Sequence, residues 1–341
     1  MAERTKKKAA SKKAASEKAA PKKAVKKTAA KTAAKTAAKT AAPAKKTAKK
    51  AANKSAKKTE QNVSGYGSGG VDVVMSVDQV AKEAASIAAA APTIKELENL
   101  VPGDVYLSIN DLRAGYGKME ILHEFSLRIG QGQSLCLIGP NGAGKSTVLH
   151  SIFGFTNIFS GSIMVNGKDV TSLTPSQKLS EAGIAYILQD KSVFPQMTVE
   201  ENLLMGGFLK DKPAEARAAA EMVFDKYSRL ADRRNKPAGV LSGGERRLLE
   251  ISRALVMQPQ VLLVDEPSIG LEPRFIDMVF EILEDLQRKD GKTIIMVEQN
   301  AKKGLAFADI GYVLVSGETA IADAGDRLLE NPDVGRLFLG G

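Results

Sequence analysis

Beyond residue 130, short apolar runs recur along the chain, at 134–138, 184–188, 261–264, 293–297 and 312–315. Each is too short for a helix buried all round and reads as a strand covered on both faces. Segments of helical character separate them, and 198–257 reads as mostly helical. Strands alternating with helices predict an α/β fold built on a parallel sheet. Ahead of this part, 105–109 and 122–129 alternate apolar and polar positions, as antiparallel strands do. Residues 162–165 then end on Asn166-Gly167, a strand running into a tight turn. Two capping boxes, Ser76 with Gln79 and Thr93 with Glu96, predict two short helices upstream of these strands.

Residues 1–60 follow none of these patterns. They are nearly all Lys, Ala, Thr and Ser, with a KTAA repeat through Lys31, Lys35 and Lys39. Lysines four apart would share a helix face and repel one another, no apolar stripe is available for burial, and Pro21 and Pro43 interrupt the register. The segment is expected to be disordered when free, and it is similar to the Lys/Ala/Pro tails of linker histones and their bacterial analogues. Its 20 Lys and one Arg face three Glu, a net +18, so the net +10 of the chain leaves the remainder acidic at −8. Contact with nucleic acid or anionic lipid through 1–60 is one reading. A solubilising extension is the other. Residues 64–70, Ser-Gly-Tyr-Gly-Ser-Gly-Gly, read as a flexible linker. The expected division is a tail at 1–60, linker and short helices at 61–104, and a folded domain at 105–341 with a helical subdomain near 191–257.

A single cysteine, Cys136, excludes an intrachain disulfide and reads as a small buried hydrophobe. His123 and His150 stand alone and predict no metal site. No apolar run has the length of a membrane span, and no signal-peptide pattern is expected at the start.

The chemistry begins after the 134–138 strand. Gly139-Pro140-Asn141-Gly142-Ala143-Gly144-Lys145-Ser146-Thr147 fits G-x-x-x-x-G-K-[ST], between a predicted strand and a predicted helix. Three glycines let the backbone turn its N–H groups toward one point at a helix N-terminus, where the dipole favours anions. Lys145 supplies a cation for the β- and γ-phosphates of a bound triphosphate, and the Ser146 hydroxyl is placed to ligate Mg²⁺. Farther on, Leu241-Ser242-Gly243-Gly244-Glu245 opens an Arg- and Leu-rich helix, with Ser242 as N-cap and two glycines that admit an anion close to the backbone. Four apolar residues at 261–264 then deliver Asp265 and Glu266 to the C-terminal end of a strand. There Asp265 would hold Mg²⁺ and Glu266 would orient and polarise water.

Together these motifs resemble, in order and over residues 105–341, the ATP-binding subunit of ATP-binding-cassette (ABC) transporters. The resemblance implies a P-loop NTPase of the ABC ATPase type, with a parallel-sheet core, an antiparallel β subdomain and a helical subdomain. It implies that Tyr116 stacks on adenine, that Gln189 touches Mg²⁺ and the attacking water, and that residues 268–273 cross a dimer interface. It further implies that Ser242, Gly243 and Gly244 close the phosphate site of a second ATPase. Where the family usually places a histidine, this chain has Gln299, which can donate a hydrogen bond but cannot titrate as imidazole does. Gln299 is therefore expected to position rather than carry a proton. The Glu298-Gln299-Asn300 variant, with 197–207 and the terminal Leu-Gly-Gly, looks like the second ATPase of branched-chain amino-acid importers; urea and short-amide importers use close relatives. The implied partners are a second ATPase, alike or different, two permease subunits and a periplasmic solute-binding protein, with the chain peripheral on the cytoplasmic face of the inner membrane. A soluble cassette acting on nucleic acid through its basic tail is the competing expectation.

Overall fold

The computed structural model describes residues 91–189 and 192–339. The Lys-rich tail, the glycine-rich linker and the Ser76/Gln79 capping box lie outside the described residues. The second capping box forms as read: Thr93 caps α1 (Ile94–Asn99), with Glu96 closing it reciprocally.

The alternating segments become a long antiparallel hairpin, β1 (Val105–Tyr116) and β2 (Met119–Gly130). β1 runs well beyond the stretch read from alternation, and β2 starts a few residues before its own. For β1 the reason is local: Asp111 has φ of 44° and sits where the β1–β2 register shifts, so the apolar pattern changes phase there; Glu124, with φ of 51°, marks the facing shift within β2. β4 (Asn157–Val165) pairs with β1, and β5 (Lys168–Asp169) completes the order β2-β1-β4-β5. Asn166 and Gly167 make the β4–β5 turn with φ of 49° and 73°, as the Asn-Gly pair predicts.

The apolar runs form a second sheet, ordered β10 (Glu318–Ala324), β9 (Ile310–Val315), β3 (Ser134–Ile138), β8 (Thr293–Val297), β7 (Val261–Asp265), β6 (Ile184–Ile187). All its pairings are parallel except that of edge strand β10 with β9. The two-residue side-chain period sorts these strands between two cores. Leu135, Leu137, Leu263 and Ile295 face the antiparallel sheet and α2 (Lys145–Phe153). Cys136, Leu262, Val264 and Met296 face the other side, where α8 (Pro273–Arg288) supplies Val279, Leu283 and Leu286. A third core joins α4 (Val199–Gly206), α5 (Pro213–Lys226), α6 (Ser228–Ala231) and α7 (Gly243–Leu255) through Leu203, Phe224, Leu230 and Leu248. The antiparallel sheet, the parallel core and the helical portion of the expected fold are all present. No helix among the described residues is long and apolar enough to cross a membrane.

One buried cation lies beneath the glycine-rich loop's helix. Lys178, on α3 (Pro175–Ser180), is fully buried and donates to the Ser151 carbonyl near the C-terminus of α2. The helix dipole favours a cation at that end, yet burial pushes the Lys178 pKa down to about 8. In the unfolded chain the group keeps its proton to higher pH. Between about pH 8 and the ordinary lysine range the unfolded state therefore binds more protons, and stability rises with pH there. Lys178→Met is expected to remove that rise, worth on the order of 3 kcal/mol at most, and to be no less stable than the parent at pH 7. Urea melts of both proteins from pH 7 to 10.5 measure the difference.

Candidate functional site

The 139–147 loop leaves β3 and enters α2 at Lys145. Gly139 has φ of 144°, and a Cβ there would lie 2.2 Å from the Leu314 carbonyl oxygen, so only glycine lets the loop pass β9 this closely. Gly142 and Gly144 also take positive φ, 84° and 101°, which turns the intervening N–H groups inward. Lys145 is 9% exposed, and its ammonium donates to the carbonyls of Gly139 at 2.9 Å and Pro140 at 3.0 Å. Burial lowers its pKa, and the Glu266 and Asp265 carboxylates oppose that shift. Loop, ammonium and both carboxylates thus share one electrostatic site.

The strand order explains this meeting. β8 lies between β3 and β7, and Asp265 pairs with Val297 in register. The carboxylates at the end of β7 and the glycine-rich loop at the end of β3 therefore open on the same edge, with Gln299 emerging between them. Asp265 accepts from the Ser146 hydroxyl at 3.3 Å through one oxygen and from the Tyr186 hydroxyl at 2.8 Å through the other. Glu266 adopts φ of 43°, its N–H donates to the Val297 carbonyl at 2.9 Å, and its side chain accepts from Gln189 Nε2 at 2.6 Å. Burial, then the charges of Asp265 and Glu298, push the Glu266 pKa up; Lys145 and Gln189 pull the other way. The result is a carboxylate with increased basicity, held by an amide, beside an ammonium and a glycine-rich anion cradle. This is the arrangement needed to grip phosphates and draw a proton from water.

Ser146 and Asp265 bring two oxygens from different segments to one point. No cluster of three His, Cys, Asp or Glu able to hold a metal occurs among the described residues. A hydroxyl plus one carboxylate, with phosphate oxygens completing the shell, suits Mg²⁺, which prefers oxygen and seldom takes an all-protein cage.

Other expected residues fall at the periphery. Tyr116 ends β1 half-exposed, its hydroxyl bonded to His150 Nδ1 and its ring edge-on to the imidazole. The Gln299 side chain is exposed. Ser242 caps α7, accepting from the Glu245 N–H, while Glu245 accepts from the Ser242 N–H at 2.9 Å. Gly244 lies under Phe275 and Met278, where a Cβ would come within 2.4 Å of the Phe275 ring. Among the described residues no hydrogen bond or ion pair joins this turn to the 139–147 loop of the same chain.

Three contributors were not anticipated from sequence. Tyr186 sits in an apolar strand and reads there as core. Arg247, 4% exposed in an Arg-rich helix, donates to the Leu188 carbonyl at 2.8 Å and to Glu250 at 2.9 Å. It thereby ties α7 to the segment carrying Gln189. Glu298, 2% exposed, accepts from the Ser268 hydroxyl and the Asn300 N–H. The sequence marks it only as part of the 298–300 variant, and its sole hint of a structural role is a charge placed directly after five buried strand positions.

Comparison with known proteins agrees with this geometry. The sequence profile described as ABC transporter matches residues 122–269. The high-affinity branched-chain amino acid transport ATP-binding protein BraG of Pseudomonas aeruginosa is 43% identical over 235 residues, covering 69% of this chain and all of that protein. The probable branched-chain amino acid transport ATP-binding protein LivF of Archaeoglobus fulgidus is 38% identical, covering 67% of this chain and 96% of its own length. Among solved structures, a nucleotide-free ATP-binding cassette from an ABC transporter superposes with a TM-score of 0.62 at 26% identity, covering 70% of this chain and 100% of that one. The ADP conformation of such a cassette matches equally well, at 27% identity with the same coverage.

Proposed function

Because the chain belongs to the family of ABC transporter ATP-binding proteins, we propose that it is the ATP-hydrolysing subunit of an importer for branched-chain amino acids, with Mg²⁺ as its metal. The observation that carries this reading is the convergence of Lys145, Ser146, Asp265, Glu266 and Gln189 on one edge of the parallel sheet. In this reading the 139–147 N–H groups and Lys145 bind the β- and γ-phosphates. Ser146, Asp265 and Gln189 would hold Mg²⁺, which would supply positive charge to screen the phosphates. Tyr116 offers its ring to adenine, Glu266 takes the proton of the attacking water, and Gln299 orients the γ-phosphate without titrating.

The Ser242–Gly244 turn serves a second subunit. It presents backbone N–H groups at the N-terminus of α7, and among the described residues it has no bond to the loop of its own chain. Two ATPases, alike or different, would close head to tail on ATP, each turn completing the other's site, and would separate once hydrolysis adds charge. Two permease subunits and a periplasmic binding protein complete the assembly, which places this chain peripherally at the cytoplasmic face of the inner membrane.

A surface for the permease is available. A groove of about 370 Å³ between β6 and the helical portion is lined by Phe153, Tyr186, Phe194, Met205 and Phe208, and Phe208 is 79% exposed. An apolar groove with exposed aromatics fits a partner helix better than bulk water. Phe208→Asp is expected to weaken permease association about 30-fold, the effect of losing an interface anchor worth about 2 kcal/mol. Basal hydrolysis by the isolated subunit should not change. Co-purification with the permease, alongside phosphate release, checks both halves. Uptake of leucine, isoleucine and valine in a reconstituted system tests the solute. Uptake of urea or a short amide instead would reassign the solute and leave the ATPase chemistry untouched.

A further inference from the structure

We infer that Glu298 is a positioning residue for hydrolysis: its buried carboxylate locks the loop that carries Glu266 to the strand end that carries Gln299. This rests on reading Glu266 as the group that acts on water. Glu298 follows β8 directly and is almost wholly removed from solvent. A carboxylate in such a place is tolerated only when donors satisfy it, and three do. Oε1 accepts from the Ser268 hydroxyl at 2.7 Å and from the Asn300 N–H at 2.9 Å, while Oε2 accepts from the Ser268 N–H at 3.3 Å.

Two of the three donors belong to Ser268, two residues beyond Glu266. The third lies one residue beyond Gln299. The Glu266 N–H already bonds the Val297 carbonyl, so residues 266–268 are stitched to 297–298 as an extension of the β7–β8 ladder. α9 (Ala301–Phe307) closes over the site. At Gly304 a Cβ would lie 2.6 Å from Cys136 Sγ and 3.1 Å from Glu298 Cβ, so Glu298 has little room to move. Glu266 itself has a strained positive φ and lies at the start of a loop, a conformation that persists only where its surroundings over-determine it. Among the described residues, the Glu298 bonds to Ser268 are the side-chain bonds that hold this loop beyond Glu266. The same loop leads through Ile269, Gly270 and Leu271 to α8, so the tether also sets the angle at which it leaves the site.

Glutamine at 298 has one acceptor oxygen, and its amide would face a donor. Glu298→Gln is therefore expected to lower kcat roughly 10- to 100-fold, the range for a catalytic group displaced by about an ångström. The KM for ATP should stay within about threefold, because the glycine-rich loop is not part of the tether. Ser268→Ala leaves the carboxylate and removes one donor, and is expected to lower kcat severalfold. The double variant should be no slower than Glu298→Gln alone, since both act through one contact. All rates are taken per folded molecule, with the folded fraction from thermal melts. Should Glu298→Gln not fold, Ser268→Ala decides. Variants with lower melting temperatures but kcat per folded molecule within twofold of the parent would overturn the inference, since a purely structural tether predicts that result. Glu266→Gln measured alongside separates the two readings. If it too retains full turnover, the role of Glu266 is wrong; if it alone is inactive, only the role of Glu298 is.

Discussion

Glu266→Gln is expected to reduce steady-state ATP hydrolysis by roughly 10²- to 10⁴-fold, the usual contribution of a positioned general base, while ATP binding survives. The substitution keeps the side chain's shape and lies outside the 139–147 cradle, so the contacts that grip phosphate are preserved. What is lost is the proton acceptor that burial and the neighbouring charges of Asp265 and Glu298 make more basic than an ordinary glutamate. With ATP intact, the charge increase proposed above to separate two subunits never comes, and on that proposal the variant should accumulate as a closed, ATP-loaded pair. Phosphate release and gel filtration with and without ATP measure the two effects. The raised pKa adds a pH signature. Only the deprotonated carboxylate can accept a proton, so kcat/KM should fall as pH drops through the Glu266 pKa, and that acid limb should lie above the range of a solvent-exposed glutamate. Hydrolysis by the glutamine variant at the parental rate would falsify the assignment of Glu266.

Lys145→Ala is expected to weaken ATP and ADP binding by roughly 30- to several-thousand-fold, the equivalent of the 2–5 kcal/mol lost when one partner of a desolvated charge pair is truncated. The ammonium is nearly buried, so water cannot replace it well, and its donors bridge the Gly139 and Pro140 carbonyls that shape the loop. Alanine removes both the countercharge and the brace. Lys145→Arg should recover little, because a planar guanidinium does not fit a site shaped for a compact ammonium. Titration with a fluorescent ATP analogue gives the affinity. Loss of the nucleotide-induced rise in melting temperature gives an independent check, since a ligand that binds only the folded state stabilises it by mass action. Parental affinity in the alanine variant would mean that the nucleotide sits elsewhere.

Part of the site could be read in advance because its determinants are local. Glycines at 139, 142 and 144 declare positive φ, Ser242 with Glu245 declares a helix start, and each apolar run of four or five residues declares a doubly buried strand; the structure has all of these. The first hairpin strand was underestimated, because a bulge at Asp111 breaks the alternation without ending the pairing. The places of Tyr186, Arg247 and Glu298 at the site escaped notice for another reason. A tyrosine in an apolar strand, an arginine on a basic helix and a glutamate after a strand are ordinary in sequence. They acquire a function through what lies opposite: Asp265, the Leu188 carbonyl and Ser268 respectively.

The sequence by itself determined the elements and the residue types that can hold a nucleotide, since backbone conformation, capping and burial period depend on neighbours a few residues apart. Only the tertiary structure decided which of those residues meet. Ser146 and Asp265 are 119 positions apart, and they touch because β8 was inserted between β3 and β7 with their C-terminal ends aligned. That choice belongs to hydrogen-bonded register and side-chain packing across the whole sheet, which no local stretch of chain encodes.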